Sequence, residues 1–333
     1  MSPACGPDAE AVTRGLGFDC HDVSPVVSVR SPWDLANWTL PVLELLIVAG
    51  AVFALVHAVR RYRAGDPVNL ALWCASLVYL FVTEPPLYFP EWFGLDELYG
   101  FIFAHNRFTV QFMGDRLPFY IVAFYPAFSQ LAYEVVRSLG IFRRGALRGA
   151  VAVAFVCQVF YEVFDQIGPP LKWWAWNPGN AIVNHPALAT VPMTSMLLFA
   201  SVSMAAMTYL VVRLKGRAAF LLAGVLTPFA MVIAGLPASV FPGNSPAQAW
   251  ILGVELAAVW LAGGWIVATC RPAGPVSAFA RIYPAAYLGV LAVIWLSALR
   301  DVPLESGLYA LACFVAAGLV LAALHRARRP APV

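Results

Sequence analysis

The chain has 333 residues, of which 61% are hydrophobic and only 12% are charged, and its mean hydropathy is +0.75. Soluble domains carry about 25% charged residues, so this composition excludes an ordinary water-soluble globular protein. The formal net charge of +3 is too small for a nucleic-acid-binding surface, and we expect no nucleic-acid partner.

Residues 1–38 form a polar arm before the first apolar segment. The arm lacks the basic start and apolar core of a secretory signal peptide, so the first apolar segment is expected to act as its own insertion signal. It contains Cys5 and Cys20. On an extracytoplasmic arm these residues can form a disulfide, and the alternative is two free thiols on a flexible arm.

Long apolar segments fill the rest of the chain. A helix needs about 20 apolar residues to cross the hydrocarbon core of a bilayer. Nine segments meet this length, at residues 39–59, 67–86, 117–138, 147–166, 187–212, 218–240, 248–270, 278–298 and 304–325. The sequence therefore predicts an all-α polytopic membrane protein with one transmembrane domain over 39–325 and a tail over 326–333. The stretch 98–113 is amphipathic and is expected to lie in the interface or to re-enter the membrane.

Basic residues fall in alternate gaps between these segments. They are Arg60, Arg61 and Arg63, then Arg143, Arg144 and Arg148, then Arg213, Lys215 and Arg217, then Arg271 and Arg281, and finally Arg326, Arg328 and Arg329. Cytoplasmic loops carry an excess of Lys and Arg. The pattern predicts a multi-pass protein of the cell membrane with its N-terminus outside and its tail in the cytoplasm, which requires an odd number of spans.

Two of the predicted outer loops are long and rich in aromatic residues. The first covers residues 84–116 and also carries many carboxylates, and the second covers residues 167–186. The cytoplasmic loops are short and basic. Because binding and catalytic residues are concentrated on loops held by a rigid scaffold, we expect function on the outer side.

Five acidic residues lie within the apolar segments or at their outer ends. A charged side chain at the bilayer centre costs about 2.5–3.5 kcal/mol on insertion scales, so each is a candidate functional group. They are Glu44, Glu84, Glu162, Asp165 and Glu255. A buried Glu without a partner tends to stay protonated, which suits a general acid and equally a proton-coupled transport site. The alternative for Glu84, Glu162 and Asp165 is an ordinary position in headgroup water.

Glu134 is treated separately, because it lies near the cytoplasmic end of the third segment. Arg137 follows it by one helical turn, and an interfacial ion pair accounts for both residues. We assign Glu134 no functional role.

Other polar and aromatic residues are predicted to share the layer of the acids. Asp165 follows Glu162 at i+3, on one helical face. Trp173, Trp174 and Trp176 exceed what an aromatic belt at the membrane border needs, and they are expected to wall a cavity for an unsaturated apolar substrate or a nearby cation. The predicted substrate-binding residues are His105, Asn106, Tyr161, Gln158, Trp173, Trp174, Trp176 and Glu84.

Several motifs are missing from the sequence. The five His are scattered, no Cys/His cluster has zinc spacing, and there is no P-loop, dinucleotide fingerprint or nucleophile elbow. The aspartate-rich repeats by which prenyltransferases hold magnesium diphosphate are also missing. We therefore expect no metal and no cofactor, and an ATP-driven pump, a flavoenzyme or a prenyltransferase is disfavoured.

The stretch 162–203 resembles the membrane carotenoid hydratases of the CruF/bacterioruberin type. The matching elements are Asp165 near a helix end, the Trp174-x-Trp176 turn, and Val191-Pro192 with Ser195 at the start of the next helix. The match covers about forty residues, and Ala189-Thr190 replaces the Tyr-Gly of the family. The resemblance implies protonation of a terminal double bond by an acid in an aromatic-lined cavity, followed by quenching of the cation with water or an internal alkene.

These observations favour an integral-membrane enzyme that acts on a lipid or isoprenoid by acid–base chemistry, as a hydratase or a terpenoid cyclase. Glu162 and Asp165 are the predicted proton donors, and Glu44 and Glu255 tune or replace them. A proton-coupled transporter or lipid permease that titrates Glu44 and Glu255 is one alternative. A structural subunit whose outer loops dock a partner is the other. The oligomeric state stays open.

Overall fold

A computed structural model of the chain describes residues 5–22, 24, 26–106, 108, 110–114, 116–214, 216, 218–270 and 276–326. Part of the predicted cytoplasmic basic set lies outside the described residues, namely Lys215, Arg217, Arg271, Arg328 and Arg329. The tail beyond residue 326 also lies outside them.

Helices make up most of the described chain. They are α1 Pro7–Gly15, α2 Thr39–Arg63, α3 Val68–Tyr88, α4 Asp96–Tyr99, α5 Phe119–Ser138, α6 Ala146–Asp165, α7 Ala181–Asn184, α8 Met193–Leu197, α9 Met204–Arg213, α10 Ala219–Ser239, α11 Ser245–Ala268, α12 Ala278–Ala298 and α13 Leu304–Arg326. A π-helical turn, Leu198–Ser203, joins α8 and α9 into one continuous helix.

Eight helices within the described residues are long and apolar enough to cross a membrane. They are α2, α3, α6, the joined α8–α9 helix, α10, α11, α12 and α13. The prediction of a mainly helical chain with many membrane-length segments is confirmed. The eight helices indicate a multi-pass membrane protein.

The remaining long helix, α5, lies at the centre of the fold. It packs against α2, α3, α6 and α12. Its side chains are buried on every face, and they include Ser129, Gln130 and Glu134. Because α5 is surrounded by protein, its polar residues can be paired with neighbouring helices instead of facing lipid.

Short strands replace two parts of the predicted pattern. The fifth apolar segment was predicted to begin at residue 187, but Ala187–Leu188 (β6) and Val191–Pro192 (β7) form a hairpin and the helix begins at Met193. The amphipathic stretch 98–113 contains two strands, β2 Phe103–His105 and β3 Val110–Phe112.

The remaining strands connect these segments to the rest of the outer region. Strand β3 pairs antiparallel with β1 Val27–Val29 and with β4 Leu117–Pro118. Strand β2 pairs antiparallel with β5 Trp174–Trp176. The two long outer loops are therefore hydrogen-bonded to each other.

The N-terminal arm packs onto this outer region. A disulfide joins Cys5 to Cys20 and encloses α1. Asn177 Nδ2 donates to Asp8 Oδ2 at 3.1 Å, and Asn106 Nδ2 donates to the carbonyl of Leu16 at 3.0 Å. The arm is thus bonded to the segments on either side of the β2–β5 pair.

Candidate functional site

A cavity of about 230 Å³ lies between the ends of several long helices and the paired aromatic loops, residues 84–116 and 167–186. Residues from α3, α5, α6, α8 and the π-helical turn line it, together with β2 and β5. Six of the predicted site residues are in the lining, namely Glu84, His105, Tyr161, Asp165, Trp174 and Trp176. The fold thus brings together residues that are up to 92 positions apart in the sequence, from Glu84 to Trp176.

The β2–β5 ribbon forms one wall of the cavity. Its register pairs Phe103 with Trp176 and His105 with Trp174. Side chains alternate between the two faces of a strand, so these four rings lie on one face. The ring centroids are 5.4 Å apart in the first pair and 5.7 Å apart in the second. We call this face, Phe103, His105, Trp174 and Trp176, the aromatic ribbon.

His105 is held in the ribbon as a neutral side chain. Its Nδ1 lies 3.1 Å from the hydroxyl of Tyr120, and its ring packs 5.8 Å from that of Tyr88. Burial among these rings lowers the pKa of His105 to about 3. The cavity therefore gains no positive charge from this residue at neutral pH.

Asp165 places a carboxyl group at the cavity. It is the last residue of α6 and is only 4% exposed. Within the described part of the chain, its Oδ2 has no hydrogen-bond partner. A buried polar atom without a partner is costly and is a candidate contact for a ligand or a reacting group.

The second carboxyl group in the lining belongs to Glu84. This residue lies near the end of α3, just before Pro85 and Pro86, and the hydroxyl of Tyr125 donates a hydrogen bond to it. Glu84 is therefore engaged by a neighbouring helix, whereas Asp165 keeps an oxygen available. The cavity holds two acids that differ in their bonding.

Glu162 lies behind the cavity wall and is not in the lining. It is fully buried, and it accepts hydrogen bonds from Gln158 Nε2 at 3.1 Å and Gln166 Nε2 at 3.0 Å. Gln158 is another predicted binding residue that does not line the cavity. The spacing of Glu162 and Asp165 puts both on one side of α6, but only Asp165 reaches the cavity.

Four further predicted site residues lie away from the lining. Trp173 is fully buried and donates from Nε1 to Thr39 Oγ1 at 2.9 Å. Glu44 accepts a hydrogen bond from the backbone N–H of Phe108 at 2.9 Å. Glu255 is partly exposed on α11. These side chains lie outside the cavity lining, and their expected roles in catalysis or binding stay predictions.

Asn106, the fourth of them, connects segments of the outer region. Its Nδ2 donates to the carbonyls of Leu16 and Lys172, at 3.0 and 3.1 Å, and its Oδ1 accepts from Arg30 at 2.7 Å. Its backbone N–H donates to the carbonyl of Trp173 at 2.8 Å. Asn106 therefore holds the arm against the ribbon and does not contact the cavity.

Glu134 and Arg137 form the predicted ion pair, with 2.7 Å between Glu134 Oε1 and Arg137 Nη1. Glu134 is fully buried within the protein. It also accepts hydrogen bonds from Asn69 Nδ2 and Ser277 Oγ, and it lies 3.1 Å from His57 Nε2. The cluster joins four helical segments and satisfies a buried charge.

Other lining residues were harder to recognise from the sequence. Tyr125 is a polar residue of an apolar segment, but its hydrogen bond to Glu84 depends on the rotation of α3 and α5 about their own axes. Leu198 and Phe199 line the cavity from the π-helical turn. Such turns are frequent at functional sites, but an apolar sequence does not predict where one occurs.

Four residues of the arm, Cys5, Asp19, Cys20 and His21, have potential metal-ligand atoms within 4.8 Å of one another. Two of these atoms are the sulfurs of the disulfide, so they are not thiolates. The possible ligands that remain are Asp19 and His21, and these two side chains alone do not fit a metal site.

No protein-family model, curated protein or solved structure matches the chain. The likeness to carotenoid hydratases stays a prediction, and the residues on which it rests can be placed in the fold. The cavity lining includes Asp165, Trp174, Trp176, Pro192 and Ser195. Val191, which precedes Pro192 in the sequence, is buried.

Proposed function

We propose that the protein is an integral-membrane enzyme that protonates a carbon–carbon double bond of a lipid or isoprenoid, followed by hydration or cyclisation. The observation that carries this proposal is the unpartnered Oδ2 of Asp165 in a cavity walled by aromatic rings. The local resemblance to membrane carotenoid hydratases agrees with the same chemistry.

Asp165 is the proton donor in this mechanism. Its O–H proton is transferred to the less substituted carbon of the double bond, whose π electrons form the new C–H bond. The positive charge left on the other carbon lies among the faces of Tyr161, Trp174 and Trp176, which stabilise cations through their ring quadrupoles. Water adds to this carbon, and the resulting oxonium returns a proton to the Asp165 carboxylate. In cyclisation an internal alkene attacks this carbon instead, and the new carbocation loses a proton from a neighbouring carbon to the Asp165 carboxylate.

The size of the cavity favours one end of a long substrate. Its volume of about 230 Å³ is below the roughly 300–1,000 Å³ of pockets that enclose a drug-sized ligand. This is enough for a branched chain end and too little for a whole lipid. The rest of the substrate then lies outside the cavity, in the surrounding membrane.

We also propose the topology of the chain. With α5 counted as a ninth span, the N-terminal arm is extracytoplasmic and the C-terminal tail is cytoplasmic, in a cell membrane. The disulfide between Cys5 and Cys20 supports this orientation, because such bonds persist in oxidising compartments.

Mass spectrometry of lipids incubated with the purified protein in D₂O tests the function. A hydratase adds the mass of one D₂O to a prenyl or polyene lipid, whereas a cyclase exchanges hydrogen for deuterium or rearranges the chain without adding water. Asp165→Asn is expected to reduce turnover by at least 100-fold, in the range of general acid catalysis. A matched control is Glu305→Gln, which removes an exposed carboxyl outside the cavity. Equal turnover by wild type and Asp165→Asn would contradict the mechanism.

A carrier for organic cations is a second candidate function. The lining contains two carboxyl groups and many aromatic rings, and it has no Lys or Arg among the described residues. Such a cavity favours a cationic ligand. A carrier would move a labelled amine across vesicle membranes without changing its mass, whereas the proposed enzyme changes the covalent structure of its substrate.

A further inference from the structure

Glu162 and Asp165 have different surroundings although they lie one turn apart on α6. Each Glu162 oxygen accepts one amide N–H, Oε1 from Gln158 and Oε2 from Gln166. Asp165 is 4% exposed, and its Oδ2 is unpartnered among the described residues. One carboxyl is therefore surrounded by donors, and the other faces the cavity with a free oxygen.

The two donors at Glu162 are held in orientation by hydroxyl groups. Ser201 Oγ donates to Gln158 Oε1, and Ser306 Oγ donates to Gln166 Oε1 at 2.8 Å. Because each amide oxygen is occupied, each amide nitrogen is directed at Glu162. Hydrogen bonds from fixed donors stabilise the charged form of a carboxyl, and a proton on Glu162 would face N–H groups instead of acceptors.

The groups around this pair provide no compensating positive charge. Within the described residues, neither Glu162 nor Asp165 forms an ion pair with Lys, Arg or His. The titratable groups that face them are Tyr161 and Cys157 on α6, Tyr287 on α12, and Tyr309 and Cys313 on α13, with Glu84 of α3 across the cavity. Two carboxylates one turn apart in such surroundings repel each other, so the pair holds one proton.

We propose that Glu162 is a positioning residue whose fixed negative charge keeps Asp165 protonated and ready to donate into the cavity. This rests on the proposed function, in which Asp165 donates the proton. Glu162 acts through Asp165 and does not contact the substrate. After the transfer both residues are carboxylates, and their repulsion favours the return of the proton from the oxonium to Asp165.

Infrared spectroscopy of the purified protein over a pH titration tests this assignment without a substrate. We expect a carboxylic-acid C=O band in wild type at neutral pH that is missing from Asp165→Asn. In Glu162→Gln the same band should titrate at a pH about one to two lower, because the repelling charge is gone. Glu305→Gln, which removes an exposed carboxyl beside Ser306, should leave the band unchanged.

The opposite pattern would overturn the proposal. A band that survives in Asp165→Asn and is lost in Glu162→Gln would put the proton on Glu162. If Glu162→Gln does not fold, Gln166→Met removes one donor from Glu162 and should lower the titration midpoint of the band by a smaller amount. An unchanged midpoint in that variant would also count against the assignment.

Turnover answers the separate question of the proposed function. A wild-type protein that shows the Asp165 band and no lipid turnover would contradict the enzyme and support the charge assignment. A protein that turns over lipid and lacks the band would support the enzyme and overturn the assignment.

Discussion

At the scale of single residues, the site depends on which side chain of a neighbouring pair reaches the cavity. Trp173 and Trp174 are adjacent, but Trp173 bonds to Thr39 behind the wall while Trp174 faces the cavity. Glu162 and Asp165, one helical turn apart, differ in the same way, because only Asp165 lines the cavity. The types of these residues were predictable, because acids and clustered Trp are unusual in apolar segments. Their individual roles were not, because they depend on helix rotation and on strand register.

His105 gives a prediction for the pH dependence of stability. Its pKa is lowered to about 3 by burial, while an unfolded His has a pKa of about 6.5. Between these values the unfolded chain binds a proton that the folded chain excludes, so stability is lost as the pH falls through this window. The slope from this residue is at most about 1.4 kcal/mol per pH unit.

Thermal unfolding in detergent at several pH values measures this effect. His105→Asn is expected to lose less stability than wild type between pH 6.5 and pH 4, since it has no imidazole to protonate. The exposed His325→Asn is the matched control and should follow wild type. The prediction is wrong if both variants show the same acid-side slope.

At the scale of elements, the cavity is built where two loops pair and one helix ends. The β2–β5 ribbon has three residue pairs, and it positions four rings against the end of α6. The sequence identified both loops as unusual, because they are long, aromatic and on the side opposite the basic loops. Their pairing could not be predicted, since the segments are short and neither shows a long alternating pattern.

Gly168 allows the ribbon to pack closely on the residues after α6. A Cβ atom at this position would overlap the ring of Trp174. Gly168→Ala is therefore expected to displace Trp174 and to destabilise the protein by about 1–3 kcal/mol, as for other overpacked sites. Gly289→Ala is the control, because a Cβ at Gly289 meets no atom within 4 Å. Thermal unfolding of the two variants checks this, and an unchanged Gly168→Ala transition would contradict it.

At the scale of the whole molecule, the apolar segments predicted the long helices to within a few residues at most ends. This succeeded because a bilayer requires about 20 apolar residues per span, which leaves a strong signal. The central position of α5 could not be predicted from the sequence. A helix buried by other helices and a helix exposed to lipid are both rich in apolar residues. Its buried polar residues Gln130 and Glu134 are explained by a partner on another helix, since both accept hydrogen bonds from Asn69 of α3.

The proposed orientation predicts the accessibility of two exposed positions on opposite sides. Ser31 lies in the arm and Arg63 at the end of α2. In intact cells, a membrane-impermeant maleimide should label Ser31→Cys, while Arg63→Cys should be labelled only after permeabilisation. The parent protein, with its own free cysteines, is the control. The reverse pattern would contradict an extracytoplasmic arm.

The bonds between the arm and the outer loops have a consequence for the order of biosynthesis. The arm is made first, yet its Leu16 and Asp8 bond to Asn106 and Asn177, which lie 90 and 169 residues further along the chain. The arm therefore lacks these partners while α2, α3, α5 and α6 are synthesised, and the cavity is complete only after Ser195, Leu198 and Phe199, which also line it, have been made. A nascent chain that ends before Trp174 has the first four long helices but only one of the two strands of the β2–β5 ribbon.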